Sequence, residues 1–327
     1  MKNIEEQEPL LTDDYNRFVL FPIKYKDIYQ MYQTAQNAFW VANEIDLTKD
    51  TNDWETKLSN DEKNFIKNVL AFFSSSDSIV NENLGVRFMN EVKVNEAKAF
   101  YGFQIAMENI HQEMYSLMIE QYVKDPIEKT KLFNAVLTVP SIKAKAEWAL
   151  KWISNEKSKF AERLIAFACV EGIFFSSAFA SIYWLKERNL MPGLCQSNEF
   201  ISRDEGLHTE FAILLYSHIK NKLNESVVHD IISSATELEC LFVEDSLKVN
   251  LIGMNSELMK EYVKFCADRL LVQLGYSKIY NVSCPFDFMT RIGLTNKTNF
   301  FEHRVSDYNK TNISDKTAFV FTTEEDF

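Results

Sequence analysis

A chain of 327 residues with 47 Asp and Glu against 35 Lys and Arg has a formal net charge of −12 and no clustered basic face, so a nucleic-acid partner, which needs Lys and Arg to neutralise phosphates, is not expected. Only 8 Gly and 6 Pro, with apolar residues at helical spacing through most of the length, predict an all-α protein. The five cysteines, Cys169, Cys195, Cys240, Cys266 and Cys284, form no Cys-x-x-Cys pair and signal neither a zinc knuckle nor a disulfide framework, which suits a reducing compartment.

The N-terminal "MKNIEEQEPLL" is acidic and lacks the apolar core of a signal peptide. The apolar runs elsewhere read as too short or too interrupted by charge to span a bilayer, so a cytoplasmic protein without a membrane partner is expected. Residues 1–20 form an arm. A helix is predicted over 24–44 through Ile28, Met31, Tyr32, Ala35 and Phe39, with Trp40 near its end. Ser59 followed by Glu62 is a capping-box signature opening a helix of some 30 residues with Asp77 in its middle. The next helix covers 94–123. A further one over 128–153 contains Pro140, where a kink or break is expected. The stretch 157–187 is apolar nearly all round, the mark of a central buried helix, and holds one acid near its middle, Glu171. "RNLMPG" ends it, a helix over 196–222 follows, and two more reach Leu274. From Val282 the chain turns polar and loses helical periodicity. The main helical domain is therefore placed at 21–285 and a mobile tail at 286–327.

Within the third helix, "IAMENIHQEMYSLM" sets Glu108, His111 and Tyr115 at spacings of three and four, on one stripe. Glu-x-x-His recurs at Glu205 and His208. Asp77 precedes Glu108 by 31 residues and Glu171 precedes Glu205 by 34, each on its own helix. Two helix pairs would gather these six groups. One acid from each of two helices and Glu-x-x-His from each of two others is the ligand pattern of di-iron and di-manganese carboxylate bundles. Carboxylates are hard bridging ligands for two close cations, and imidazole suits iron. A single Glu-x-x-His would be an ordinary surface pair in so acidic a chain. Two, each matched by an acid on a buried helix, are hard to explain otherwise, because unpaired buried carboxylates are costly. Asp204 either hydrogen-bonds a ligating imidazole or is a surface acid. Tyr115, Phe175, Phe179 and Trp40 also fit as plain core residues. Phe175 and Phe179, one and two turns past Glu171, would wall the site from solvent.

These motifs, with "NRFVLFPIKYKDIYQMYQTAQNAFWVANEIDL", "SSSDSIVNENL", "VEGIFFSSAFASIYWLKERNLMPGL" and "ISRDEGLHTEFA", resemble the small, radical-generating subunit of class I ribonucleotide reductase, in the form found in eukaryotes and their large DNA viruses. The resemblance covers nearly the whole chain. It implies a ferritin-like di-iron helical bundle with additional helices. Asp77, Glu108 and His111 would hold one iron and Glu171, Glu205 and His208 the other, with manganese as the alternative metal. It further implies Tyr115 as the radical, protected by Phe175 and Phe179, and Trp40, Asp204 and His111 as the internal electron route. The acidic, Phe-ended "FVFTTEEDF" is similar to the tail that docks on the family's large catalytic subunit, with Tyr308 as a relay, although "TTEE" departs from the usual wording. A homodimer is expected from the family. Three rivals share parts of this pattern: a di-iron oxidase with its own small substrate, an iron-storage bundle and a metal-free paralogue.

Overall fold

The computed structural model describes residues 8–12, 17–155, 157–247 and 253–292, without the side chains of residues 75, 77–79 and 86. The described elements are helical throughout. They are α1 (Lys26–Asn37), α2 (Asn60–Asn83), α3 (Asn95–Tyr122), α4 (Pro126–Phe133), α5 (Pro140–Ser154), α6 (Phe160–Glu187), α7 (Pro192–His218), α8 (Glu225–Ser246) and α9 (Ser256–Leu274), with short 3-10 and π turns between them. By its own contacts the chain separates at residue 286, so the described residues 286–292 belong to a second unit.

Local chemistry explains most of the boundaries. Ser59 Oγ accepts the Glu62 N–H at 3.2 Å while the Glu62 carboxylate accepts the Ser59 N–H at 2.7 Å, so the expected capping box starts α2. Asp125 caps α4, with Pro126 as its first residue, and Asn255 caps α9, which ends on Gly275 at φ +90°. The start of α7 is capped from far away. Asp50 accepts the N–H groups of Gly193 at 2.7 Å and Leu194 at 2.8 Å, and it also takes a hydrogen bond from the Tyr122 hydroxyl. Gly193 is required at this point, because a Cβ there would lie 2.8 Å from the Asp46 carbonyl.

Several expected boundaries change. The helix placed at 24–44 ends at Asn37, and Trp40 lies beyond it. The Arg203 guanidinium reaches the Ala38 carbonyl at 2.5 Å and satisfies the helix end there. The break expected at Pro140 in 128–153 is present, since α5 begins on that residue, and the part before it is α4 followed by a single turn at Ala135–Thr138. α7 begins at Pro192 rather than 196 and stops at His218 rather than 222, because proline is suited to the first helical position and Asp50 supplies the missing cap. The expectation that every apolar run is too short or too interrupted by charge to span a membrane also fails for α6. Phe160–Glu187 passes by length and composition, yet 89% of its most apolar window is buried in the protein. It is a core helix whose apolar surface is covered by neighbouring helices.

α2 packs along α3, and α6 along α7, while α3 also meets α7. α1 lies against α3 and α7, and α8 against α5, α6 and α9. The architecture is all-α and ferritin-like, a four-helix core with added helices. α6 departs from regular geometry within this core: Val170–Phe174 forms a π turn, and Glu171 sits inside it. Gly172 lets this turn close on α7, since a Cβ there would meet Thr209 Cγ2 at 3.1 Å.

Replacing Ser59 with Ala should remove one half of the capping box and lower stability by about 1 kcal/mol. Thermal unfolding of the variant beside the parent chain would read this as a lower Tm; an unchanged Tm would mean that Glu62 alone caps α2.

Candidate metal centre

The face of α3 that turns inward carries Gln104, Glu108, His111 and Tyr115 in steps of four, three and four residues, all buried. α7 contributes Asp204, Glu205 and His208, and the π turn of α6 contributes Glu171. Glu108, His111, Glu171, Glu205 and His208 are each at most 3% exposed. Potential ligand atoms of Glu108, Glu171, Glu205 and His208 all lie within 4.8 Å of one another.

Two carboxylates straddle the two imidazoles. Glu108 places Oε1 3.0 Å from His208 Nδ1 and Oε2 3.3 Å from His111 Nδ1. Glu205 places Oε1 3.0 Å from His111 Nδ1 and Oε2 3.1 Å from His208 Nδ1. Gln104 Nε2 donates to Glu171 Oε1 at 3.2 Å and to Glu108 Oε1 at 3.4 Å, tying the α6 acid to an α3 acid. His111 presents its other nitrogen, Nε2, to Asp204 Oδ2 at 3.2 Å, and the same oxygen accepts Trp40 Nε1–H at 2.7 Å. The indole stacks on the His111 ring with centroids 6.0 Å apart and an interplanar angle of 23°. Arg203 pairs with the second Asp204 oxygen at 3.2 Å.

A test of fit to metal lies in the atoms left over. His111 Nδ1, Glu108 Oε2 and Glu205 Oε1 are buried, face one another at close range, and have no aligned hydrogen-bond donor. Each unsatisfied buried polar atom costs about 1–3 kcal/mol. A hydrogen bond from His111 Nε2–H to Asp204 leaves the Nδ1 lone pair free for a cation, and the carboxylate oxygens beside it are hard donors. The donor set therefore fits divalent metal ions. Without them, protons are the available substitute. Burial lowers the basicity of both imidazoles, but the surrounding acids outweigh it: Glu108 and Glu205 raise His208 to about 10, and Asp204, Glu108 and Glu205 hold His111 well above its ordinary range. Burial likewise pushes Glu205 upward, and its contacts with His208 and His111 overcome this and depress it.

Tyr115 lies one turn beyond His111 and is 2% exposed. Its ring faces Phe73 almost in parallel, with centroids 4.5 Å apart and 8° between planes. Phe175 and Phe179 pack on Phe73 at 5.8 and 5.3 Å. The structure thus brings Glu108, His111, Glu171, Glu205, His208, Asp204 and Trp40 together and stacks Tyr115 on Phe73, which Phe175 and Phe179 back from behind. Asp77 lies on α2, one turn after Phe73, and its side chain is outside the described residues. Tyr308 and the terminal "FVFTTEEDF" also lie outside them. Sequence reasoning missed Gln104 and Phe73. Gln104 stands four residues before Glu108, and Phe73 four before Asp77, so helical spacing from the candidate ligands was the available signal.

Buried carboxylates and imidazoles drawn from several helices of an all-α core match the dinuclear carboxylate bundles as a class. Residues 17–285 match the family model described as ribonucleotide reductase, small chain, and the chain belongs to that family. It is 58% identical to the ribonucleoside-diphosphate reductase small chain of Neurospora crassa over 97% of this chain and 77% of the relative. It is 55% identical to the ribonucleoside-diphosphate reductase subunit M2 of Homo sapiens over 98% and 83%. Among solved structures it is similar to the Rnr4 homodimer of the Saccharomyces cerevisiae ribonucleotide reductase, with a TM-score of 0.82 and 42% identity over 93% of this chain and 94% of that one.

In the metal-free protein the raised His208 contributes stability that is complete below its unfolded value near 6.5 and is lost as pH rises toward about 10. Ligation requires the neutral ring, so metal uptake at pH 7 should release protons into weak buffer and should weaken as pH falls. Uptake without proton release, followed with an indicator dye during anaerobic titration, would show that these histidines do not ligate.

Proposed function

We propose that this chain is the radical-generating small subunit of a ribonucleoside-diphosphate reductase, and that Asp77, Glu108, His111, Glu171, Glu205 and His208 hold two iron ions beside Tyr115. The observation that carries this reading is the pair Glu108 and Glu205, each offering one oxygen toward each of two buried imidazoles. Two carboxylates in that position suit two close cations. Manganese is the alternative occupant. The chemistry such a pair supplies when bound is reduction of dioxygen with one-electron oxidation of a nearby phenol.

The chain's own residues set the conditions for that outcome. Tyr115 follows His111 by one turn, which keeps its phenol beside the ligands. Phe73 covers its ring, Phe175 and Phe179 pack on Phe73 behind it, and exclusion of water and reductants gives a tyrosyl radical its lifetime. Trp40, stacked on His111 and hydrogen-bonded to Asp204, offers an electron route into the ligand shell. Asp204, 2.7 Å from the indole nitrogen, is placed to accept the indole proton when the ring loses an electron. His111 is anchored by the same carboxylate oxygen, so proton position and ligand orientation are linked.

The remaining parts extend this reading. The helical domain, 21–285, generates the radical, and the tail, 286–327, docks on the large catalytic subunit, which reduces ribonucleotides to deoxyribonucleotides. The terminal "FVFTTEEDF" offers three Phe side chains, and aromatic residues are the usual anchors of an interface. Tyr308 relays the oxidising equivalent toward the partner. The small subunit works as a homodimer.

Tyr115→Phe keeps the ring and its packing and removes the oxidisable hydroxyl. After anaerobic ferrous loading and admission of oxygen, electron paramagnetic resonance should give a tyrosyl signal in the parent chain and none in the variant at equal iron content. An undiminished signal in the variant would place the radical elsewhere.

A further inference from the structure

The π turn that carries Glu171 is held from outside the metal centre. Widening a helix by one residue shifts its hydrogen-bond ladder and leaves carbonyls at the exit in need of other donors. Two side chains supply them here. The Ile173 carbonyl accepts from the Ser176 hydroxyl at 2.6 Å, and the Phe174 carbonyl accepts from Lys145 Nζ at 2.8 Å. Lys145 Nζ also sits 2.5 Å from Glu239 Oε2, and the Ser177 hydroxyl donates to the other oxygen of Glu239. The ammonium lies over the faces of Phe72 at 3.4 Å and Phe242 at 4.2 Å.

Lys145 and Glu239 are 1% and 0% exposed, so this is an ion pair entirely inside the protein. Such a pair is weak support for stability, since an apolar pair of similar volume usually serves as well. Burial brings Lys145 down to about 8 against the attraction of Glu239, and pushes Glu239 up. A more specific use is visible in where the pair attaches. Lys145 comes from α5 and Glu239 from α8, neither of which contributes to the carboxylate and imidazole cluster, and both fasten the exit of the turn. On the opposite side, Gly172 is closed against Thr209 of α7. The turn is confined between these contacts, with Glu171 inside it.

We infer that Lys145 and Glu239 are positioning residues that hold the π turn in register and so aim the Glu171 carboxylate at the metal pair. The inference rests on the reading of Glu171 as a ligand. Anaerobic titration with cobalt(II), followed by visible absorption and metal analysis, separates the two. The parent chain should bind two cobalt ions, and Glu171→Gln should weaken one of them.

Lys145→Met keeps the length of the side chain and removes its donor and charge. It should retain helical circular dichroism and one cobalt ion of parental affinity, while the second binds at least about tenfold more weakly with a changed absorption band. Ser176→Ala removes the neighbouring donor more gently and should weaken the same ion by less. Two ions of parental affinity and spectrum in Lys145→Met, or in the double variant Lys145→Met/Glu239→Leu where Lys145→Met alone does not fold, would reduce the pair to a structural one and overturn the inference. Parental binding in Glu171→Gln would instead overturn the ligand reading, and the inference with it.

Discussion

Carboxylates taken out of water without countercharge cannot persist, and this constraint organises the centre of the molecule. Glu108, Glu171 and Glu205 are buried among helices whose other inward residues are largely apolar. Imidazolium from His111 and His208 is the compensation available to the protein alone, and the neighbouring acids raise the basicity of both rings above the ordinary range. Cations supply another, because Glu108 Oε2, Glu205 Oε1 and the Nδ1 lone pair of a neutral His111 converge at close range as donors to a metal ion. The same groups thus favour protons in one state and metal in the other.

The surrounding fold keeps that cluster from relaxing. A glutamate that could rotate to solvent would do so. Here α3 and α7 each present Glu-x-x-His from a rigid helix, Gln104 ties Glu171 to Glu108, and the π turn is closed on α7 through Gly172. Beyond the ligands lies a layer with a different task. Asp204 receives Trp40, His111 and Arg203 on its two oxygens, and through Arg203 it is joined to the carbonyl that ends α1. The hydrogen bonds that satisfy the end of α1 and orient the His111 imidazole therefore meet on one carboxylate.

Much of this was legible in the sequence because helical spacing converts directly into a shared face. Glu108, His111 and Tyr115 stand together for that reason, and so do Glu205 and His208. The all-round apolar character of α6 placed it at the centre. Other features depended on contacts across the chain. The start of α7 is set by Asp50, more than 140 residues away in sequence, so a local reading placed it too late. Trp40 seemed to end a helix because apolar residues continue past Asn37, yet Arg203 terminates α1 before it. The π turn leaves no mark in a hydropathy pattern. Its partners Lys145 and Glu239 read as ordinary charges on two amphipathic helices until the fold buries them face to face.

Anomalous diffraction at the iron edge, from crystals loaded anaerobically with ferrous iron, tests most directly whether this cluster is a dinuclear centre. The account predicts two peaks per chain, about 3.5–4 Å apart, lying between His111 and His208 and each beside Glu108 and Glu205. A single peak, or iron bound only outside these residues, would contradict it.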